Sequence, residues 1–119
     1  MSHQPVGTGS IDPHDFLDIG ALLDDEERLV RDTVRRFVAD RITPDVGEWF
    51  EAGTFPDEIA KEMGALGLFG MHLDGYGCAG MSNVEYGLAC TELEAGDSGA
   101  RSFVSVQGSL AMFPIWAYG

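Results

Sequence analysis

The sequence predicts an all-α fold, a bundle of five to six helices. Apolar residues recur every three or four positions along most of the chain, which is the spacing of one buried helix face. Helix-capping residues precede these stretches, and glycine or proline follows them. The segment SFVSVQ at 102–107 alternates as a strand would, but it lies inside a longer helical pattern and is assigned to a helix.

The first helix is expected to begin at Asp24. Asp24 can cap it, Glu27 lies three residues further on, and acidic side chains suit the positive end of the helix dipole. The predicted buried stripe comprises Val30, Val34, Phe37, Val38 and Ile42. The arginines on the other faces are expected to be solvated and paired with acids three or four positions away, rather than to form an anion site. These are Arg28, Arg31, Arg35 and Arg36.

Four further helices are expected from the same signals. They span about 44–52, 57–66, 83–96 and 98–113. The last of them is apolar on most sides, which predicts deep burial, and Pro114 stops or restarts it. Both tryptophans, Trp49 and Trp116, are expected in the core. The glycine-rich stretch 68–81 is expected to be a long loop, and it lacks the spacing of a nucleotide-binding motif.

The domain organisation is expected to be simple, with a flexible arm over 1–20 and one helical domain over 21–119. Proline and glycine interrupt any periodicity in the arm. The apolar residues Phe16, Leu17 and Ile19 are candidates for attaching its end to the domain. A chain of 119 residues favours a single domain of modest core size.

Composition excludes several classes of function. The formal net charge of −13 argues against binding to nucleic acid or an anionic membrane surface. No apolar run approaches the ~20 residues that span a bilayer. The scattered histidines and two isolated cysteines do not predict a metal site. The start lacks the features of a signal or transit peptide, so a cytoplasmic location is expected.

Arg101 is the most informative single residue, because no other lysine or arginine follows Lys61. Glu92, Glu94 and Asp97 lie near it in sequence. An arginine beside an apolar helix is costly to bury without a partner. It therefore either forms a structural ion pair with Asp97 or Glu94, or presents its planar fork to an anionic ligand such as a carboxylate. One glutamate can also do both, orienting the guanidinium while other donors face a ligand.

Serines recur along the same helix at positions 98, 102, 105 and 109. They either permit close helix packing, with hydroxyls bonded to the preceding turn, or line a narrow pocket. Glu92 and Glu94 are two residues apart and must diverge on a helix, so they do not form a catalytic acid–base pair.

Three sequence motifs carry a resemblance to a known family. They are GYGCAG at 75–80, DSGARSFVSVQGSL at 97–110 and IWAYG at 115–119. Over about residues 16–119 the chain resembles the amino-terminal domain of the acyl-CoA dehydrogenase family, and within it the glutaryl-CoA dehydrogenases. The DSGxRSxxSVQxSL pattern is the specific part, whereas the pattern of the first helix is generic.

The resemblance implies a flavoenzyme of which this chain is one part. In that family, a middle β domain and a carboxy-terminal helical bundle hold FAD and the catalytic glutamate, so no catalytic or cofactor-binding residue is expected here. The implied reaction removes an α-proton, passes a β-hydride to flavin and releases carbon dioxide, converting glutaryl-CoA to crotonyl-CoA. A homotetramer and an electron-transfer flavoprotein as acceptor are implied as well.

The resemblance also assigns substrate-binding roles. The arginine that matches Arg101 binds the distal carboxylate of the acyl group, assisted by the serine that matches Ser102, and the glutamate that matches Glu94 hydrogen-bonds to the arginine. The acyl pocket is implied to be lined by Ser105, Val106 and Leu110. Ala100 and Gly108 depart from the family pattern and alter the detail of that pocket.

Two alternatives to this hypothesis remain at the level of sequence. The chain could be a stand-alone helical interaction module derived from such a domain. It could equally belong to a dehydrogenase that acts on another acyl-CoA.

Overall fold

The computed structural model describes residues 11–119, and it confirms the all-α prediction: this range contains six α-helices and no β-strand. The helices are α1 (Asp25–Phe37), α2 (Val46–Ala52), α3 (Asp57–Ala65), α4 (Asn83–Gly96), α5 (Ser98–Ser105) and α6 (Phe113–Tyr118). A short 3-10 helix, Ile19–Leu22, precedes α1. Two π-helical stretches extend α1 and α5, and we call them the first π segment (Val38–Ile42) and the second π segment (Val106–Met112).

The longer helices begin where the sequence predicts, because side-chain caps satisfy their free N–H groups. Asp24 accepts a hydrogen bond from the Glu27 N–H at 2.8 Å, and the Asp24 N–H donates to Glu27 in return. The Ser82 hydroxyl accepts from the backbone N–H three residues on at 3.1 Å, which starts α4. Asp97 accepts from the Ala100 N–H at 2.8 Å, which starts α5.

One boundary differs from the prediction, and at Pro114 the structure selects one of the two predicted alternatives. Helix α2 begins at Val46 rather than directly after Pro44, because the Thr43 N–H still donates to the Val38 carbonyl at 2.9 Å and so completes the first π segment. Pro114 restarts the helix and does not stop it. It lies in the first turn of α6, where the missing N–H of proline costs nothing.

Helix α4 lies between α1 and α5 and forms the centre of the domain. Gly96 permits the close approach of α4 to α1, because a Cβ at this position would overlap the Val38 side chain. The buried apolar core comprises Val34, Val38, Ile42, Ile59, Met63, Leu68, Met71, Ala89, Leu93, Ala100 and Val104. All five residues of the predicted α1 stripe are therefore buried or packed against this core.

The predicted deep burial of the helix after Ser98 is wrong for five of the eight apolar residues in 98–113. Phe103, Val106 and Leu110 are 43%, 51% and 71% exposed, and Trp116 is also exposed rather than in the core. One face of this helix meets α4, and the rings of Phe55 and Phe69 pack against Phe103, at 5.6 and 5.5 Å between centroids. More than half of the surface of Val106 and of Leu110 stays exposed. The exposed apolar side chains recur at helical spacing, and we call them the outer stripe: Phe103, Val106, Leu110 and Phe113.

Residues 11–20 contact α1 through a hydrogen bond from Nη2 of Arg28 to the Gly20 carbonyl at 3.3 Å, and Asp15 orders their backbone. The Asp15 carboxylate accepts hydrogen bonds from the N–H groups of Ile19 and Gly20 at 2.8 Å each, and these bonds, that of Gly20 first, lower the pKa of the carboxyl. The predicted apolar attachment is not found, since Phe16 and Leu17 are exposed. The rest of the predicted arm, residues 1–10, lies outside the described range.

Candidate functional site

A line of polar side chains separates α4 from α5 and the second π segment. We call it the polar seam. It consists of Tyr86, Cys90 and Glu94 on α4, and of Arg101, Ser105 and Ser109 on the facing helix. Each set recurs every four residues, so each forms one row along its helix. Residues that are unremarkable one by one are thus brought together by helix geometry.

Arg101 lies at one end of the seam and is fixed by two hydrogen bonds. Its Nε donates to Oε2 of Glu94 at 2.6 Å, and its Nη1 donates to the Ser105 hydroxyl at 3.0 Å. Ser98 donates to the other oxygen of Glu94 at 2.6 Å. The bond from Ser98, followed by that from Arg101, lowers the pKa of the Glu94 carboxyl. Glu94 is therefore an anion with both oxygens engaged, and it sets the direction of the guanidinium.

Only one of the two predicted ion-pair partners of Arg101 is used. Glu94 forms the pair, whereas Asp97 caps α5. The Arg101 side chain is 35% exposed, and Nη2 forms no hydrogen bond to any residue in the range 11–119. Arg101 therefore forms the structural ion pair, and its guanidinium still has hydrogen-bond donors available for a ligand.

The remaining predicted site residues lie on the same helix at increasing distance from Arg101. Ser105 accepts from Arg101 and donates to the Ser102 carbonyl at 3.3 Å. The half-buried Ser102 hydroxyl has no hydrogen-bond partner among the described residues. Val106 and Leu110 project outward on the outer stripe. The structure thus brings Arg101, Glu94 and Ser105 into contact and places the apolar members beyond them, on the open side.

Tyr86 marks the other end of the polar seam. Its hydroxyl lies 2.9 Å from the Ser109 hydroxyl, and its ring centroid lies 4.3 Å from that of His72. Burial raises the pKa of the Tyr86 hydroxyl and that of the Cys90 thiol. The sequence analysis does not single out Tyr86 as a site residue. The four-residue spacing of Tyr86, Cys90 and Glu94 was the available signal for a row of polar groups.

The glycine-rich loop between α3 and α4 packs against the second π segment. Gly108 is buried against this loop, and a Cβ at Gly108 would lie 3.2 Å from the Gly70 nitrogen. The Trp116 indole N–H donates to the Asp74 carbonyl at 2.8 Å. The loop is therefore a structural support for the helix that carries the candidate site.

Residues 11–119 contain no group of three or more His, Cys, Asp or Glu side chains that could hold a metal ion. No helix in this range is long and apolar enough to cross a membrane. A concavity of about 460 Å³ beside α2 is lined by Trp49, Phe50, Phe55 and Asp97 and has no basic side chain, which does not suit the diphosphate of a flavin nucleotide.

The fold and the site together define an all-α domain that carries an anchored, partly exposed arginine beside an open apolar stripe. The family model "Acyl-CoA dehydrogenase, N-terminal domain" matches residues 24–119. The chain belongs to this family.

Solved structures and curated sequences give more detailed similarities. A crystal structure of a glutaryl-CoA dehydrogenase from Mycobacterium smegmatis in complex with FADH2 is 60% identical, with a TM-score of 0.87 over 92% of this chain and 28% of that one. Benzylmalonyl-CoA dehydrogenase of Aromatoleum aromaticum is 36% identical over 91 residues, which are 76% of this chain and 22% of that protein. The rat short-chain specific acyl-CoA dehydrogenase is 29% identical over 98 residues, 82% and 24% of the two chains.

This chain spans about a quarter of the length of its relatives, from 22% to 28% in these comparisons. The likeness therefore concerns one domain of each of them.

Proposed function

We propose that the chain is the amino-terminal part of an FAD-dependent acyl-CoA dehydrogenase that oxidises and decarboxylates glutaryl-CoA to crotonyl-CoA. Within that enzyme, this part helps to form the acyl pocket and binds the distal carboxylate of the substrate. The main observation behind this proposal is that Glu94 and Ser105 hold the Arg101 guanidinium, while its Nη2 forms no hydrogen bond within residues 11–119. The sequence identity of 60% to a glutaryl-CoA dehydrogenase supports this substrate.

The chemistry of Arg101 suits a dicarboxylic thioester. A guanidinium can donate two parallel hydrogen bonds to a carboxylate, and each charged hydrogen bond contributes about 1.5–3 kcal/mol. A plain acyl chain offers no acceptor and would leave these donors unpaired, which lowers the affinity for the wrong substrate. Because Glu94 and Ser105 already order the side chain, the substrate loses less binding free energy to that ordering.

Neighbouring residues complete the proposed pocket. The Ser102 hydroxyl, which has no partner within residues 11–119, is available to assist the carboxylate. Ser105 fixes the guanidinium, and Val106 and Leu110 supply apolar wall for the acyl chain. The names of two relatives, glutaryl-CoA and benzylmalonyl-CoA dehydrogenase, both denote dicarboxylic acyl groups. This supports a carboxylate-binding role and makes a different dicarboxylyl-CoA the second candidate substrate.

The remaining domains of the enzyme are proposed to supply FAD binding and the catalytic base. When bound, FAD accepts the hydride from the acyl chain. The family resemblance assigns the flavin chemistry to those other domains, so no step of it is given to residues of this chain. The proposal includes a homotetramer in the cytoplasm and an electron-transfer flavoprotein as electron acceptor.

The outer stripe favours a multidomain protein over a stand-alone module. A continuous row of exposed apolar side chains on a soluble domain marks an interaction surface. We propose that the remaining domains and the substrate cover it in the complete enzyme. A stand-alone module would leave it in water.

Substitution of Arg101 in the complete enzyme tests the proposed function. For Arg101→Ala we expect kcat/KM for glutaryl-CoA to fall by at least about 100-fold, which corresponds to loss of two charged hydrogen bonds of ~1.5–3 kcal/mol each, while butyryl-CoA is affected less. Arg101→Lys keeps the charge but loses the fork, so it should recover only part of the activity. Arg36→Ala, an exposed arginine on α1, is the matched control. Equal losses on both substrates would reject the carboxylate-binding role.

A further inference from the structure

We propose that Tyr86 is a positioning residue of the acyl pocket: its hydrogen bond to Ser109 fixes the second π segment and so sets the length of acyl chain that the pocket accepts. This inference rests on the proposed function, because the pocket it refers to belongs to that function. It adds a second, separate source of substrate selectivity to the one supplied by Arg101.

The second π segment requires stabilising contacts from other parts of the chain. A π-helix has poorer packing and hydrogen-bond geometry than an α-helix, and π turns persist mostly where a site uses them. Val106–Met112 is seven residues long and continues directly from α5. An α-helical form of the same stretch lies close in energy, so contacts with other elements must stabilise the π form.

Two consecutive residues of the segment, Gly108 and Ser109, supply those contacts. Gly108 is buried against the Gly70 backbone, where no larger side chain has room. Ser109 lies 2.9 Å from the Tyr86 hydroxyl. Tyr86 in turn is held in place by the His72 ring, 4.3 Å away between centroids. The middle of the segment is therefore fixed by backbone packing on one residue and by a polar contact on the next.

The proposed wall of the acyl pocket depends on these contacts of Gly108 and Ser109. Val106 and Leu110 lie on either side of the Gly108–Ser109 pair in the same segment. If the segment rotates or relaxes to an α-helix, both side chains move together. Arg101 precedes the segment and is held by Glu94, so its position does not depend on Ser109. Selectivity for charge and selectivity for length therefore have separate physical sources.

A merely structural role for Tyr86 makes a different prediction. The pair would then contribute only to stability, and its loss would lower activity on all acyl-CoA substrates alike. A positioning role changes the ratio between substrates. The discriminating measurement is therefore a ratio of kcat/KM values, not a single activity.

The experiment compares three substrates in the complete enzyme carrying Tyr86→Phe. We expect the kcat/KM ratio of butyryl-CoA to hexanoyl-CoA to fall roughly three- to tenfold, the equivalent of one neutral hydrogen bond. The ratio of glutaryl-CoA to butyryl-CoA should change less than about twofold. Ser109→Ala should reproduce the change, and the double variant should add nothing further because both remove the same contact. Thr91→Ala, on the exposed side of α4, is the control.

An unchanged butyryl-to-hexanoyl ratio in both single variants overturns the inference, as does an equal loss on all three substrates. Ser109→Ala keeps the test decisive if Tyr86→Phe does not fold. Failure of the inference is distinguishable from failure of the proposed function. If the wild-type enzyme prefers glutaryl-CoA and both variants keep the length ratio, only the inference fails. If the wild-type enzyme does not oxidise glutaryl-CoA, the proposed substrate fails, while the length ratio still tests Tyr86.

Discussion

Two arginines of this chain pair with glutamates of α4, on opposite sides of that helix and in different ways. Arg35 of α1 uses Nε and Nη2 on both oxygens of Glu92, at 3.0 and 2.7 Å. Arg101 of α5 uses only Nε on one oxygen of Glu94. The Glu92 side chain is 12% exposed and that of Glu94 is 46% exposed. One pair is closed and joins two helices, whereas the other orients a guanidinium that remains open.

The same contrast holds for the apolar residues on the two sides of α4. Between α1 and α4, side chains such as Val34 and Leu93 are covered by the chain itself. On the outer stripe, Leu110 and its neighbours follow a similar helical pattern but remain exposed. Periodicity identifies a face that must be covered, and it does not identify which part of a protein covers it. The exposed side is the one that carries the candidate site.

The largest expected effect distinguishes the two apolar surfaces. Leu93→Ala in this chain should lower the free energy of unfolding by about 2–5 kcal/mol, because it leaves a cavity in the core. Leu110→Ala is the matched control and should change the free energy of unfolding by less than about 0.5 kcal/mol, since its side chain is already in water. Urea denaturation measures both. Equal losses would show that the outer stripe is covered in solution.

An intermediate effect is expected for the two ion pairs. Arg35→Ala should cost about 1 kcal/mol of unfolding free energy, the upper end for partly exposed pairs, because it leaves the poorly exposed Glu92 without its partner. Arg101→Ala should cost less, since both members of that pair reach solvent. Denaturation at low and high salt is the measurement. A larger loss for Arg101 than for Arg35 would contradict the division into a closed and an open pair.

The smallest expected effect concerns alkaline pH. Burial raises the pKa of the Tyr86 hydroxyl and of the Cys90 thiol, so the folded protein keeps protons that the unfolded chain has lost. The resulting stabilisation is complete below the ordinary pKa values and disappears as pH rises through the raised ones. The free energy of unfolding should therefore decline as pH rises above about 8. Tyr86→Phe with Cys90→Ala should decline less, and an identical slope would show that the polar seam does not carry the effect.

The helix starts of this fold could be predicted because their signals are local. Asp24, Ser82 and Asp97 each place an oxygen next to backbone N–H groups within three residues, and the structure contains all three contacts. These contacts depend on short-range geometry, which the sequence specifies directly.

The contacts between helices could not be predicted in the same way. Arg35 was expected to pair within α1, but it pairs with Glu92, 57 residues away. The π segments were not expected either, because a π turn has no residue signature of its own and depends on tertiary contacts. For the candidate site, the pairing of Glu94 with Arg101 came from a resemblance and is present in the structure, whereas the roles of Ser102, Val106 and Leu110 toward substrate stay predictions.

The second π segment has one further consequence, for the alignment of related chains. Each π turn accommodates about one residue more than an α turn, so it acts as a one-residue insertion that advances the helical phase by about 100°. The bond of Trp116 to the Asp74 carbonyl lies downstream of this phase change. A relative that lacks one residue here would turn the same indole toward a different neighbour, even if every later residue were identical. A single gap at this point would therefore mean a rotation of α6 rather than a shorter loop.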